Sequence, residues 1–165
     1  MQIDTPGFSV LLKNPILFLA FGFGSGLAPK APGTFGTLAA IPVYLLLVLV
    51  IGDPVVYGIL VMVVFGGGIW ICEKASETLG VHDHGGIVWD EIAGFLVTMI
   101  AVPFSWPAVI AGFVLFRLFD IWKPWPISVI DRRVTGGFGI MLDDIIAGIF
   151  ALVCMAILRS LGVLV

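Results

Sequence analysis

Two short stretches place adjacent carboxylates at the head of an apolar run with a glycine close behind. They are Ile87-Val88-Trp89-Asp90-Glu91-Ile92-Ala93-Gly94 and Ile140-Met141-Leu142-Asp143-Asp144-Ile145-Ile146-Ala147-Gly148. Neighbouring residues on a helix point about 100° apart, so one acid of each pair can face the interior and the other a loop or an ion. The ordinary reading of such a pair is a favourable charge at a helix N-terminus, worth roughly 0.3–1 kcal/mol. Two pairs on one face, with Arg117 and Asp120 beside them in an apolar segment, point to function instead, because intramembrane ionisable groups are costly. Carboxylates crowded together repel and cannot all ionise without a cation. Oxygen ligands without a cysteine partner suit a hard ion such as Mg²⁺.

His82 and His84 flank Asp83 in a glycine-rich turn and could extend the ligand set, although ordering the loop is the commoner role for such a pair. Arg117 precedes Asp120 by three residues, the spacing of an ion pair within one helix. Lys123, in Asp120-Ile121-Trp122-Lys123-Pro124-Trp125-Pro126, is expected to hold its side chain free at the interface, because Pro124 ends the helix right after it. Arg132 and Arg133 follow; Arg132 is taken with the substrate, Arg133 as a topology signal. Cations gathered near acids favour a phosphate-bearing substrate. The stretch Gly22 to Gly36 could cradle an anion, since Gly33-Thr34-Phe35-Gly36-Thr37 precedes a helix N-terminus, a weak signal by itself; Lys30, Thr34 and Thr37 are expected at the substrate with Arg132.

The elements that must position these residues are written in the composition. Of 165 residues, 60% are apolar and 12% charged, with a net charge of −3 and a mean hydropathy of +1.17. Soluble domains carry about 25% charged residues. Disorder, a disulfide-stapled secreted module and a basic nucleic-acid binder are excluded. Cys72 and Cys154 lie in or beside apolar runs as packing residues rather than a bridge. Uncharged runs of 16, 22, 19, 25 and 14 residues separate Lys13, Lys30, Asp53 and Glu73, then Glu91 from Arg117 and Asp144 from Arg159. A membrane-spanning helix needs roughly 17–25 residues. The first fourteen residues lack a signal-peptide layout, since Asp4 and Pro6-Gly7 precede any apolar run.

The expected architecture is all-α: a polytopic membrane bundle of about four to five spans, forming one domain over 1–165. A short interfacial or re-entrant segment, Pro15 to Leu27, comes first. Thr34 is the expected N-cap of a span over 35–51, and a second span covers 55–72. Pro103-Phe104-Ser105-Trp106-Pro107 divides the next run into a hairpin of 90–102 and 108–119, and the last span starts near Asp143. The split puts Lys13, Lys30, Lys74, Lys123, Arg132 and Arg133 on one side, as cytoplasmic loops require.

Four separated motifs then carry a resemblance. Pro32-Gly33-Thr34-Phe35-Gly36-Thr37-Leu38, His82-Asp83-His84 running into Ile87–Glu91, Arg117 to Ile127, and Gly139 to Gly148 together resemble the phosphatidylglycerophosphatase A family over about residues 15–150. Thr37 stands where that family often has Ser, which keeps a hydroxyl. The resemblance implies a Mg²⁺-dependent multi-pass phosphatase of the bacterial inner membrane that converts phosphatidylglycerophosphate to phosphatidylglycerol. It points to Asp83, Asp90, Glu91, Asp143 and Asp144 as the acidic, ion-holding set, with Arg117, Asp120 and Lys123 close by. A small cation transporter or channel using the same acids is the alternative, and would place them near mid-membrane on discontinuous helices.

Overall fold

In the computed structural model, which describes residues 5–164, helices account for every regular element among the described residues. Asp4, used above for the N-terminus, lies outside them. Two short helices, α1 (Phe8–Lys13) and α2 (Pro15–Ala20), lead into a kinked 3₁₀ segment, Gly22–Leu27. None of these is long enough to cross a bilayer, as expected of the glycine-broken first run.

Three helices are long and apolar enough to span: α3 (Pro32–Val50), α4 (Pro54–Leu79) and α8 (Gly136–Ser160). The expectation of an N-cap at Thr34 is corrected: α3 begins at Pro32, entered from Ala31 in the left-handed conformation (φ 49°). Proline suits the first helical position, where its missing N–H costs nothing. Helix α4 starts at an Asp53 cap, whose Oδ1 accepts from the Val55 and Val56 amides at 2.7 and 3.2 Å. It then runs seven residues past the expected end at Cys72 and stops at Gly80 (φ 67°).

The expected hairpin is present, with shifted boundaries. Helix α5 (Trp89–Thr98) is only 10 residues long, α6 (Trp106–Trp122) has 17, and Ser105 caps α6 by accepting from the Ala108 amide at 3.2 Å. At 1.5 Å per residue α5 reaches about 15 Å, far short of a roughly 30 Å hydrocarbon core. It survives by complete enclosure: every residue from Ile92 to Thr98 is buried, against α3, α4, α6 and α8. The described residues thus hold three helices long and apolar enough to span, plus an unequal hairpin. The short α7 (Ile127–Arg133) lies before α8.

Helix α8 starts seven residues before Asp143, so the second acid pair sits two turns inside a helix rather than at its head. Its N-terminus is satisfied from elsewhere in the chain. The Gly136 amide donates to His82 Nε2 at 2.7 Å, and the Gly137 amide donates to the Glu73 carboxylate.

The interior is apolar, around Tyr44, Tyr57, Ile92, Phe95, Leu96, Phe116 and Met155 on one side and Leu17, Phe21, Cys72 and Met141 on the other. Val64, Trp89 and Ile145 pack against both groups. The outside is apolar as well: Leu46, Leu49, Val55, Met62, Ile110 and Val114 are exposed on α3, α4 and α6. Such a surface suits a lipid surrounding. The turns Gly52–Pro54 and Pro103–Phe104 line one cavity with Arg159, which places both turns at the end opposite the acid pairs. Among the described residues Arg159 is the basic side chain lining that cavity, and its guanidinium donates to the Ala101 carbonyl at 3.2 Å. Cys72 and Cys154 are free thiols.

Candidate active site

Each acid pair is placed by a helix crossing. Asp90 lies four residues before Gly94, and Asp144 four before Gly148, so each acid stands one turn above its glycine on the same helix face. The two glycines are where α5 and α8 touch. A Cβ on Gly148 would strike the Gly94 carbonyl, and one on Gly94 would come within 2.8 Å of the Asp144 carbonyl. Small residues of this kind allow helix backbones to approach closely in a membrane. Thr98 fastens the crossing, its hydroxyl 3.0 Å from the Gly94 carbonyl and 3.4 Å from that of Gly148. One turn above the contact, Asp90, Glu91 and Asp144 are forced together, with one carboxylate oxygen from each within 4.8 Å of the others.

These three acids line a cavity of about 140 Å³ at the ends of the helices, along with Asp83, Asp120, Lys123, Asp131, Asp143 and His82. Asp90 Oδ1, Glu91 Oε2, Asp143 Oδ1 and Asp144 Oδ2 are buried without a hydrogen-bond partner. Buried polar atoms are nearly always paired, so four orphans in one cavity need an explanation. A hard divalent ion is one that fits: the donors are all carboxylate oxygens, several are unpartnered, and they converge. Of the five acids expected to hold an ion, the structure thus brings Asp90, Glu91 and Asp144 into one group. Asp83 (φ 52°) and Asp143 line the same cavity outside that group.

The cations divide as follows. Arg117 forms the expected ion pair with Asp120 and also lies 3.7 Å from Glu91 Oε1, all three side chains being nearly enclosed. The N-terminal turn of α3 presses on this pair: a Cβ on Gly33 would strike Glu91 Oε1 and lie 3.1 Å from Arg117 Nη1. Lys123 corrects the expectation of a free side chain. Its Nζ lies 2.5 Å from Asp131 Oδ1 and 2.7 Å from Asp143 Oδ2. Burial opposes its charge, but the two carboxylates prevail and hold its pKa above the usual lysine range.

The four residues expected at the substrate are not among those lining this cavity. Thr37 turns its hydroxyl onto the Gly33 carbonyl, 2.9 Å away inside α3, and is fully buried. Thr34 is taken up in the first turn of α3, while Lys30 and Arg132 are exposed. The histidines order loops: His84 Nδ1 accepts from the Gly86 amide at 3.0 Å, and His82 ties its loop to α8. Two residues escaped the sequence reading. Asp131 belongs to no acid pair, and Glu73 sits at the end of an apolar run. Each finds its partner only through the fold.

An apolar helical bundle that gathers unpartnered carboxylates and a lysine at one end has the make-up of a membrane-embedded enzyme acting on an anionic group. The family model described as Phosphatidylglycerophosphatase A matches residues 18–159. A phosphatidylglycerophosphatase A of Escherichia coli (strain K12) is 49% identical over 141 residues, covering 85% of this chain and 81% of that protein. Another, from Haemophilus influenzae (strain ATCC 51907 / DSM 11121 / KW20 / Rd), is 44% identical over 154 residues, covering 93% and 94%. No solved structure matches the chain. The chain belongs to the phosphatidylglycerophosphatase A family and is a phosphatase.

Proposed function

We propose that this protein removes the terminal phosphate of phosphatidylglycerophosphate, giving phosphatidylglycerol and inorganic phosphate, with Mg²⁺ as cofactor. It does so as one multi-pass domain of the bacterial inner membrane, with the cavity on the cytoplasmic face. The observation that carries this reading is the convergence of Asp90, Glu91 and Asp144, with unpartnered oxygens, in a cavity where apolar helices end. A lipid can keep its acyl chains beside those helices while its terminal phosphate reaches the acids.

Asp90, Glu91 and Asp144 would hold the ion. When bound, Mg²⁺ supplies positive charge against the phosphoryl oxygens, the main requirement of this reaction. Lys123 adds a cation on the same cavity wall. Arg117 fixes Asp120 and Glu91, so that Glu91 keeps its orientation. Asp143 has one oxygen engaged by Lys123 and the other free, which suits it to take a proton from an attacking water. Water is favoured over an aspartyl nucleophile because the chain carries no Asp-x-Asp nucleophile motif.

The transport alternative needs a polar route through the bundle. Below the acids the interior is filled by Phe95, Leu96, Met99, Val61 and Met155, all at most 1% exposed. The purified protein should release phosphate from phosphatidylglycerophosphate with Mg²⁺, stop in a chelator, and stop when Asp144→Asn is introduced. Release that persists undiminished in the chelator would refute the cofactor, and no release at all would refute the substrate.

A further inference from the structure

Asp131 is the cavity acid that no motif accounts for. It comes from α7, while Asp143 comes from α8, and the two carboxylates close on one point. That point is taken by Lys123 Nζ, at 2.5 and 2.7 Å. Two acids from different elements meeting around one position is the geometry that elsewhere seats a metal. Phosphate enzymes with two ions hold them about 3.5–4 Å apart, one on each side of the reacting group. Here the adjacent acids of α8 diverge. Asp144 turns to Asp90 and Glu91, and Asp143 turns to the lysine.

Backbone and hydrogen count support a built position. Lys123 adopts a left-handed conformation (φ 44°, ψ 57°) at the end of α6. A residue with a Cβ adopts this conformation only against steric resistance, and such a conformation persists where the surroundings enforce it. An ammonium has three donors. Two are engaged by Asp131 and Asp143, which leaves one for an oxygen in the cavity that Lys123 lines. Independently, Asp144 is 3% exposed and keeps Oδ2 unpartnered, so the ion position stands apart from the lysine position.

We propose that Asp131 is a positioning residue: with Asp143 it seats the Lys123 ammonium as a built-in second cation, beside one divalent-ion seat at Asp90, Glu91 and Asp144. The inference rests on the phosphatase reading above and sets the number of ions at one per chain.

Mn²⁺, which is spectroscopically visible, tests this by equilibrium dialysis with the full-length protein in detergent. The wild type should bind one Mn²⁺ per chain. Lys123→Met removes the ammonium, leaves two acids facing each other, and should raise the count to two. Adding Asp131→Asn to that variant should return it to one. Asp131→Asn alone should keep one Mn²⁺ while lowering kcat about tenfold at little change in KM, and Asp131→Glu should restore most of the rate. Two ions bound by the wild type, a Lys123→Met variant that stays at one, or an Asp131→Asn enzyme with wild-type kcat would each overturn the proposal. Asp144→Asn separates the two readings: Mn²⁺ binding that survives it undiminished would sink the ion seat itself.

Discussion

At the scale of single residues, the acids divide by what holds them. Asp90 and Asp144 have oxygens with no protein partner, so Asn at either position strands no charge. On the proposed reading each change removes an ion ligand and should lower turnover at least about a hundredfold, because a bound ion would carry much of the charge stabilisation. Thermal stability of the metal-free protein should hold or rise, since a repelling charge is gone. Asp143→Asn should differ: the rate falls, but ion binding remains, because Asp143 answers to Lys123 rather than to the ion group. Lys123→Ala should cost about tenfold in kcat/KM, or about 1.4 kcal/mol. Arg117→Ala leaves Asp120 and Glu91 enclosed without their cation, and should cost about 3 kcal/mol in stability as well as rate. Lys123 also sets a pH expectation. Its folded-state pKa is raised, so the stabilisation from its two carboxylates is complete below the unfolded-state pKa. It is lost only as pH climbs through the folded one, in strongly alkaline solution. Loss of activity near neutral pH therefore belongs to other groups.

At the scale of elements, the crossing of α5 and α8 is what turns two sequence motifs into one site. Gly148→Ala puts a methyl group against the Gly94 carbonyl and must push the helices apart. Overpacking of this kind costs about 1–3 kcal/mol, and one turn away it should separate Asp90 from Asp144, lowering Mg²⁺ affinity together with activity. Gly66→Ala and Gly67→Ala on α4 meet open space and should leave both unchanged, or raise the melting temperature slightly through helix propensity. Activity and melting temperature of the three variants in one detergent would check this. The same crossing explains what could be read from the sequence. The carboxylate–glycine spacing, the Arg117–Asp120 pair and the turn at Pro103–Pro107 are local, so residue order exposes them. Helix α8 starts seven residues before the expected position because its cap is not local: Glu73 and His82 come from the far end of α4 and the following loop. Asp131 stayed hidden for the same reason. The chain must reverse through Pro124–Pro126 before α7 can bring it back to Lys123. Lys30, Thr34 and Thr37, expected at the substrate, lie outside the acidic cavity, and the first turn of α3 packs against Glu91 and Arg117.

At the scale of the whole molecule, charge and topology have to agree. Both acid pairs must reach one cavity, so the loop carrying Asp83 and the segment carrying Lys123 must lie on the same side of the bilayer. That requires α5 and α6 to return the chain to its starting side, although α5 is too short to span. The fold meets this by burying α5 inside the bundle, where neighbouring helices rather than lipid cover it. The basic residues follow: Lys30, Lys74, Lys123, Arg132 and Arg133 belong to the cavity end, while Arg159 stands at the other, and the positive-inside rule is what makes the cavity end cytoplasmic in the proposed reading. Single-cysteine labelling in intact cells tests this arrangement once Cys72 and Cys154 are replaced by Ala and Ser. Gly52 and Gly85 suit the purpose because a side chain at either meets nothing within 4 Å, and Ser128 on α7 is partly exposed. A membrane-impermeant maleimide should reach Gly52→Cys from outside the cytoplasmic membrane. It should reach Gly85→Cys and Ser128→Cys only after that membrane is opened. Labelling of 85 and 128 from opposite sides would mean that α5 and α6 cross as one unit. Asp90 and Asp144 could then share no ion, and the catalytic reading would fall with the topology.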